Sequence, residues 1–250
     1  MTRPDLPAAL SARGLVAVVG AGGKKSTLYT LARRLDRAVL TATVRIPIFD
    51  EEVESVVVTD DPVAAVEAAD SFPVGVVPER EREERYRGYD RETVADLASR
   101  VADETDAVLV KADGARTRLL KAPDDREPQI PATADTVLPI ASAQVVGKPL
   151  SDKHVHRVER VAAVTELDRG DEIRFSDVAA VLASEAGGLK DAPEDATVVP
   201  VVNMVDDDAL RAIGEDIAQQ VLDRTADDSR VERVVLTRMT AADPIVAVVD

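Results

Sequence analysis

The chain carries one short run of residues whose types and order could bind phosphate. It is Gly20-Ala21-Gly22-Gly23-Lys24-Lys25-Ser26-Thr27, and it stands between a β-branched segment and a helical pattern. Glycines let the backbone turn sharply with its N–H groups directed inward, and the start of a helix adds partial positive charge. A lysine there can reach the β- and γ-phosphates of a nucleotide. The run therefore predicts a loop that binds a nucleoside triphosphate, ATP or GTP.

This run is a variant of the common phosphate loop. The pattern GxxxxGK[ST] is not met, because Gly23-Lys24 is followed by Lys25. Read as Gly-x-x-Gly-Lys-x-Ser, it is similar to the shorter phosphate loop of some ATP-dependent ligases. In this interpretation Lys24 binds phosphate, and Ser26 or Thr27 supplies a hydroxyl to Mg²⁺.

Two other interpretations of the run stay open. It could be only a tight packing turn between a strand and a helix. It could also bind a dinucleotide, but the third glycine of GxGxxG is replaced by Lys25. The second strand also ends in Thr41 and Thr43 rather than in the acid that would bind a ribose. A nucleoside triphosphate is the better-supported ligand.

An acidic residue follows another apolar segment and would complete a Mg²⁺ site. Residues 107–112 have the pattern of a buried strand and lead directly into Asp113-Gly114. Nucleotide sites commonly place a metal-binding aspartate at the end of a strand beside the phosphate loop. We therefore predict that Asp113 and Ser26 bind Mg²⁺; the alternative is an ordinary Asp-Gly turn.

Two further polar groups are weaker candidates. Residues 203–206, Asn-Met-Val-Asp, resemble the guanine-reading Asn-Lys-x-Asp sequence of GTPases, with methionine in place of the lysine. Asn203 and Asp206 are thus predicted to bind the base; the alternative is that Asp206 caps a helix. His154 and His156 form a His-x-His pair without a third ligand at a characteristic spacing, which favours packing or surface contacts over metal binding.

Strand and helix patterns alternate along the chain and would position these residues. Strands are predicted at 15–19, 38–43, 56–59, 74–77, 107–112, 136–141, 197–202 and 231–237, and helices at 24–35, 62–69, 92–101, 156–167, 177–186 and 207–222. Ser176 is predicted to cap the helix at 177–186. The alternation implies a mainly parallel, doubly wound α/β sheet of the P-loop NTPase type. We expect one domain over residues 1–250, with a helical insertion near 151–190.

Two segments interrupt this alternation. Residues 79–90 are highly charged and contain Tyr86 and Tyr89, which predicts a solvated loop or helix face, with a partner-binding tip as the alternative. Residues 121–131 contain three prolines, which exclude a regular helix or an inner strand. This second segment is predicted to be a shaped loop.

Composition limits the classes of function. A net charge of -16 argues against a large nucleic-acid-binding face, and the absence of cysteine excludes thiolate chemistry and cysteine-bound metals. No run of 18 apolar residues exists, and residues 1–13 lack the apolar core of a signal peptide. We therefore expect a cytoplasmic protein that does not bind membranes.

The acidic composition also predicts adaptation to salt. Only seven of the 31 basic residues are lysine, and aspartate outnumbers glutamate. Salt screens the mutual repulsion of a densely acidic surface. We expect the protein to lose structure as KCl is reduced from molar to low concentration. A thermal melt that is unchanged between these conditions would contradict the expectation.

The ordered set of motifs resembles the YqeC family, described as accessory proteins of selenium-dependent molybdenum hydroxylases. The matching segments are 19–24 (VGAGGK), 39–43 (VLTAT), 87–89 (RGY), 112–116 (ADGAR), 120–123 (LKAP), 127–131 (EPQIP), 156–157 (HR) and 203–206 (NMVD). The resemblance covers most of the chain. It implies a role in maturing such a hydroxylase, with the enzyme or its maturation proteins as partners.

The chain departs from the family pattern at four positions. Lys25 and Ala42 stand where the family usually has threonine, Lys111 where it usually has glutamate, and Met204 where it usually has lysine. The change at Lys25 transfers the Mg²⁺ hydroxyl to Ser26. Lys111 removes an acid from the site, and Met204 weakens the case for guanine.

A basic pocket is predicted in this otherwise acidic protein. Its members are Lys24, Lys25, Arg116, Arg118 and Lys121. The prolines of residues 121–131 would hold Arg116, Lys121 and Glu127 near the γ-phosphate, where Arg116 or Lys121 could stabilise charge during phosphoryl transfer. Lys24, Asp113, Arg116 and Lys121 are thus the predicted catalytic residues.

Three activities fit these residues. The first is slow, Mg²⁺-dependent hydrolysis of a nucleoside triphosphate or transfer of its phosphoryl group. The second is a nucleotide-dependent switch with negligible catalysis, which orders residues 41–45 and 79–90 around a partner protein. The third is a small-molecule kinase or ATP-dependent ligase, for which the sequence shows no acceptor pocket.

Overall fold

A computed structural model describes residues 5–250; residues 1–4, part of the N-terminal stretch considered above, lie outside this range. The helices are α1 (Leu6–Ala9), α2 (Lys24–Ala32), α3 (Pro62–Glu67), α4 (Arg91–Arg100), α5 (Val158–Thr165), α6 (Phe175–Leu182) and α7 (Asp208–Arg224). The strands are β1 (Gly14–Gly20), β2 (Ala38–Ala42), β3 (Ile46–Pro47), β4 (Ser55–Val58), β5 (Val74–Val77), β6 (Arg85–Tyr86), β7 (Ala107–Lys111), β8 (Leu120–Lys121), β9 (Thr136–Ser142), β10 (Val155–His156), β11 (Thr197–Val198), β12 (Val201–Asn203), β13 (Val234–Thr237) and β14 (Ile245–Val249).

One large sheet organises the molecule. Its strand order is β14-β13-β12-β9-β1-β7-β2-β5-β4, and β11 also pairs with β9. All pairings in this sheet are parallel except that of β13 with β14. The predicted mainly parallel α/β architecture is confirmed and is consistent with a P-loop NTPase-like fold. The carboxyl ends of β1, β7, β9 and β12 therefore meet at one edge.

Helices cover both faces of the sheet, which explains the continuous apolar runs in its central strands. On one face Leu28 and Leu31 of α2 belong to the same core as Leu109 of β7. On the other face Leu97 of α4 belongs to a core with Val108 of β7. A third core joins α5, α6 and α7 to the ends of β9 and β12, so α5 and α6 of residues 151–190 pack beside the same edge.

The predicted bounds differ from the structure where local chemistry interrupts a pattern. The strand predicted at 197–202 is split into β11 and β12 before Pro200, whose nitrogen cannot donate a hydrogen bond. Ser176 was predicted to cap α6 but lies inside it. Arg174 is the N-cap, and its backbone N–H donates to the carboxylate of Asp177 at 2.7 Å. The predictions also lacked α1 and β14.

Residues 79–90 differ from a solvated loop at their two tyrosines. Tyr86 and Tyr89 are buried. The hydroxyl of Tyr86 donates to a carboxylate oxygen of Asp50 at 2.8 Å, and that of Tyr89 donates to the carbonyl oxygen of Thr59 at 2.7 Å. Tyr86 also pairs with Ile46 in the small β3–β6 sheet. The aromatic rings anchor this segment while its charged side chains face outward.

No helix within residues 5–250 is both long enough and apolar enough to cross a bilayer.

Candidate functional site

The glycine-rich run forms the turn between β1 and α2, as predicted. Its shape requires glycine most clearly at Gly23, which has a φ of 135°. A Cβ atom there would lie 2.0 Å from Nδ2 of Asn203. Any side chain at this position would therefore displace the loop or the asparagine behind it.

The backbone amides of the turn fall into two groups. The first three donate within the protein. The amide of Gly20 donates to Oδ2 of Asp113 at 2.9 Å, and those of Ala21 and Gly22 donate to backbone carbonyl oxygens at 2.8 and 2.9 Å. Among the described residues, the next four amides, those of residues 23–26, have no acceptor. Four adjacent free donors at the start of a nine-residue helix form a site suited to an anion. The first three residues shape the loop, so the amides left for an anion lie closer to the helix than the predicted loop of residues 20–26 implied.

Asp113 lies directly beneath the loop and between two lysines. Its Oδ1 is 2.8 Å from Nζ of Lys24, and its Oδ2 is 2.8 Å from Nζ of Lys121. Lys24 also donates to the carbonyl oxygen of Gly20. Burial opposes ionisation of Asp113, but Lys24 and Lys121 together hold its pKa below the ordinary value. The carboxylate is therefore charged at neutral pH.

One oxygen of Asp113 has unused capacity to accept hydrogen bonds. Oδ1 is buried. It lies within ion-pair distance of Lys24, but the geometry of that contact is not that of a hydrogen bond. A buried carboxylate oxygen in this state is suited to a hard cation, and Mg²⁺ commonly binds to one or two carboxylates together with substrate phosphates. No group of three or more His, Asp or Glu side chains that could hold a metal occurs in the described part of the chain. The residues thus fit a metal that arrives with a nucleotide rather than one held by protein alone.

The hydroxyls after Lys24 differ in availability. Thr27 is buried and donates to the carbonyl oxygen of Gly23 at 3.1 Å. Ser26 is half-buried, and its hydroxyl makes no hydrogen bond to any residue from 5 to 250. The Ser26 hydroxyl is therefore the more available of the two, and its contact with Mg²⁺ stays a prediction. Lys25 is exposed on the adjoining surface.

A chain of ion pairs continues from Asp113 away from the loop. Lys121 also binds Oε2 of Glu127 at 2.6 Å, which in turn binds Arg157 at 2.5 Å. Arg157 reaches Asp124 at 2.6 Å, and Nζ of Lys190 donates to the carbonyl oxygens of residues 124 and 127 at 3.0 and 2.6 Å. Arg157 and Lys190 were not predicted to take part in this network. They lie about 30 and 60 residues from their partners, and no local spacing identifies them.

The five predicted basic residues do not form one pocket. Lys24 and Lys121 are buried against Asp113, whereas Arg118 donates to the carbonyl oxygens of Arg116 and Asp152. Arg116 is exposed, with a φ of 47°, and its guanidinium has no partner within residues 5–250. Burial drives the lysines toward the nearest carboxylates, so the predicted basic pocket is replaced by a nearly neutral cluster.

Asn203 braces the loop from the next strand. Its Nδ2 donates to the carbonyl oxygen of Gly22 at 2.9 Å, and its Oδ1 accepts from Thr237 and Met239 at 3.0 and 3.2 Å. Asp206 is exposed and accepts from the Gln144 amide at 2.6 Å. The helix cap that was considered for Asp206 belongs instead to the following residue, an aspartate. Contact of Asn203 and Asp206 with a base stays a prediction.

The two histidines lie beside the ion-pair chain. His156 of β10 pairs with Lys121 of β8 in a separate two-stranded sheet. Burial, and then the charge of Arg157, lower the pKa of His156 to about 4. Burial also lowers the pKa of His154. Both side chains are therefore neutral at physiological pH.

Comparison with known proteins agrees with the resemblance described above. A family model described as "YqeC protein" matches residues 16–159. The chain is also 30% identical over 194 residues to the "Uncharacterized protein YqeC" of Escherichia coli (strain K12), an alignment that covers 76% of this chain and 75% of that protein. The matched region contains the loop, Asp113, Lys121 and Arg157. The chain therefore belongs to the YqeC family.

Proposed function

We propose that this protein binds a nucleoside triphosphate with Mg²⁺ and slowly hydrolyses it or transfers its phosphoryl group. The observation that carries the proposal is that four amides at the start of α2, which have no acceptor within residues 5–250, lie beside the buried Asp113, whose Oδ1 faces Lys24 without accepting a hydrogen bond. The amides are suited to phosphate, and the carboxylate is suited to a metal bound to that phosphate.

Each residue has a distinct part in this proposal. The amides of residues 23–26 bind phosphate oxygens, and Lys24 exchanges its contact with Asp113 for one of them. Asp113 and Ser26 would then hold Mg²⁺, which neutralises charge on the phosphates when it is bound. Lys121 keeps Asp113 in place from the opposite side. Arg116 is exposed and its guanidinium has no partner among residues 5–250, so it could turn toward the phosphates.

The pathway in the proposal comes from the family resemblance. We propose that the nucleotide-dependent step assists maturation of a selenium- or molybdenum-dependent hydroxylase. An interaction with the hydroxylase or its maturation proteins would be expected to depend on the nucleotide. The site's geometry supports the nucleotide part of this proposal.

A nucleotide-dependent switch without turnover is the second candidate, and one observation favours it. Strands β3 and β6 join residues 46–47 to 85–86 in a flap beside β2, and Arg45 forms an ion pair with Glu81 at 2.6 Å. Lys111 at the end of β7 donates to the carbonyl oxygen of Arg45 at 2.8 Å, which connects this flap to the site. Turnover raised by a partner would favour the enzyme, whereas nucleotide-dependent capture of a partner without turnover would favour the switch.

The proposal is tested by calorimetric titration of ATP and GTP with Mg²⁺ at high salt. We expect Lys24→Ala to weaken binding of the preferred nucleotide at least about tenfold, because a hydrogen bond from a charged group contributes roughly 1.5–3 kcal/mol. Lys148→Ala, which removes an exposed lysine, is the control and should leave the affinity unchanged. Failure of the folded wild-type protein to bind either nucleotide would refute the proposal.

A further inference from the structure

One peptide unit of the glycine-rich turn is held by a side chain from outside the turn. It joins Gly22 to Gly23, and its carbonyl oxygen accepts a hydrogen bond from Nδ2 of Asn203 at 2.9 Å. The cis peptide bonds found within residues 5–250 lie elsewhere, so this peptide is trans, and its C=O and N–H point in opposite directions. The bond from Asn203 therefore turns the N–H of Gly23 away from Asn203. This N–H is the first of the four amides that have no acceptor among the described residues.

Backbone preference alone does not hold this peptide in its observed orientation. Gly23 has a φ of 135°, and reversing the peptide would change this angle by about 180°, to about −45°. The second value lies close to the helical region that all residues adopt. Glycine flanks the peptide on both sides, and it adopts positive and negative φ with similar ease. A contact from outside the turn must therefore decide between the two orientations.

The amide of Asn203 can present only donors to this peptide. Its Oδ1 accepts hydrogen bonds from Oγ1 of Thr237 at 3.0 Å and from the backbone N–H of Met239 at 3.2 Å. A backbone N–H can only donate, so the oxygen of the side-chain amide must face Met239 and its NH₂ group must face Gly22. Asn203 is also 3% exposed. Its orientation is thus fixed by buried contacts, and it selects the carbonyl side of the peptide.

We propose that Asn203 is a positioning residue, which holds the Gly22–Gly23 peptide in the orientation that offers its N–H to a bound anion. In the reversed orientation the carbonyl oxygen would take the place of this N–H and repel a phosphate oxygen. The loop would then keep three of its four free amides. The inference rests on the proposed function for the identity of the anion as a nucleotide phosphate. It assigns Asn203 a role toward the phosphates, which is distinct from the predicted contact with a base.

A nearly isosteric substitution tests the orientation directly. Asn203→Asp keeps an acceptor for Thr237 and Met239 but places an oxygen where Nδ2 contacts the carbonyl oxygen of Gly22. These two oxygens would repel each other, whereas a reversed peptide would donate the N–H of Gly23 to the new carboxylate. We expect a crystal structure of this variant at pH 8 to show the reversed peptide. The wild-type orientation in that crystal would refute the inference.

Calorimetry measures the consequence for anion binding. Inorganic tripolyphosphate with Mg²⁺ is the probe, because it has no base, and ATP and GTP are titrated beside it. Asn203→Leu removes the donor without adding charge, and we expect it to weaken tripolyphosphate binding at least about tenfold. Any nucleotide that binds should lose affinity by the same factor. Unchanged tripolyphosphate affinity with a loss confined to a nucleotide would assign Asn203 to the base and overturn the inference.

Gln219→Leu is the matched control for the calorimetry. Gln219 is exposed on α7, so the control makes a similar amide-to-apolar change away from the loop. Its affinity for tripolyphosphate should stay within about twofold of the wild-type value.

The wild-type protein offers a measurement that does not depend on any variant. The chain has two Gly-Gly pairs, 22–23 and 187–188. Protein labelled with glycine that carries ¹³C at the carbonyl and ¹⁵N at the amide therefore gives two signals in an NMR spectrum that selects directly bonded ¹³C–¹⁵N pairs. The N–H of Gly188 donates to the carbonyl oxygen of Val181 at 2.8 Å, so its signal should not move.

We expect the amide proton of Gly23 to shift to higher frequency as Mg²⁺-tripolyphosphate is added, because it gains a charged acceptor. A signal of Gly23 that stays in place at every concentration of tripolyphosphate would refute the inference.

The outcomes separate this inference from the proposed function. If tripolyphosphate binds in a manner that depends on Asn203 while neither ATP nor GTP binds, the positioning role stands and the proposed nucleotide function fails. If a nucleotide binds and Asn203→Leu binds tripolyphosphate and that nucleotide as the wild type does, the positioning role fails and the proposed function stands.

Discussion

The Lys121→Met variant is expected to unfold with a free energy about 3–5 kcal/mol lower than that of the wild-type protein. Lys121 bridges Asp113 and Glu127, with Nζ 2.8 Å and 2.6 Å from their carboxylates, and its side chain is fully buried. Methionine has a similar length but no charge. The substitution therefore removes the cation between two carboxylates; Asp113 keeps Lys24 and the Gly20 amide, and Glu127 keeps Arg157.

Denaturant unfolding at constant high salt measures this loss. Lys148→Met makes the same chemical change at an exposed position and should alter stability by less than about 0.5 kcal/mol. If the free energy of unfolding of Lys121→Met lies within about 1 kcal/mol of the wild-type value, the ion pairs of Lys121 do not stabilise the fold as their short distances suggest.

Replacing Lys111 by methionine should change the free energy of unfolding in the opposite direction. Lys111→Met is expected to be more stable than the wild type at pH 7, because it removes a buried lysine that forms no ion pair with any residue from 5 to 250. The advantage should shrink by about 2 kcal/mol between pH 7 and pH 9. The sign follows from the proton balance: the pKa is about 7 in the folded protein and near 10.5 in the unfolded chain.

Between these two pH values the unfolded chain binds the extra proton, so the wild-type protein gains stability as the pH rises. The loss of stability caused by burying charged Lys111 is therefore complete below pH 7. It disappears as the pH approaches 10.5, the pKa of the unfolded chain. Unfolding curves of wild type and Lys111→Met at several pH values give the difference directly, and Lys148→Met should follow the wild-type slope. A stability difference that does not change between pH 7 and pH 9 would show that Lys111 is charged and compensated throughout.

Much of the fold could be predicted because its signals are local. The apolar runs at β1 and β7 end in Gly20 and just before Asp113, and a parallel sheet brings the carboxyl ends of its strands to one edge. The register Val18↔Lys111 confirms that these two strand ends are neighbours. The alternation of the patterns thus indicated both the sheet and the place where polar residues would meet.

The roles of the lysines could not be predicted in the same way. The sequence favoured Lys121 as a free cation and treated Lys111 as the loss of an acid. In the structure, the three donors of Lys121 contact oxygens of Asp113, Gly114 and Glu127, in the segments on either side of it, whereas the one partner of Lys111 within residues 5–250 is the carbonyl oxygen of Arg45, 66 residues away. Which donors are used depends on how these irregular segments fold, and residue spacing alone does not encode that.

The brace that Asn203 forms has a consequence for biosynthesis. Asn203 joins Gly22 to Thr237 and Met239, so the carbonyl that shapes the loop near the start of the chain depends on residues near its end. A chain leaving the ribosome has its glycines, Lys24 and Asp113 long before it has this brace. Because domains fold as units during synthesis, the loop is expected to reach its final shape only after residues 237–239 have left the ribosome. A nascent chain that ends before residue 237 is therefore expected to lack the braced form of the loop.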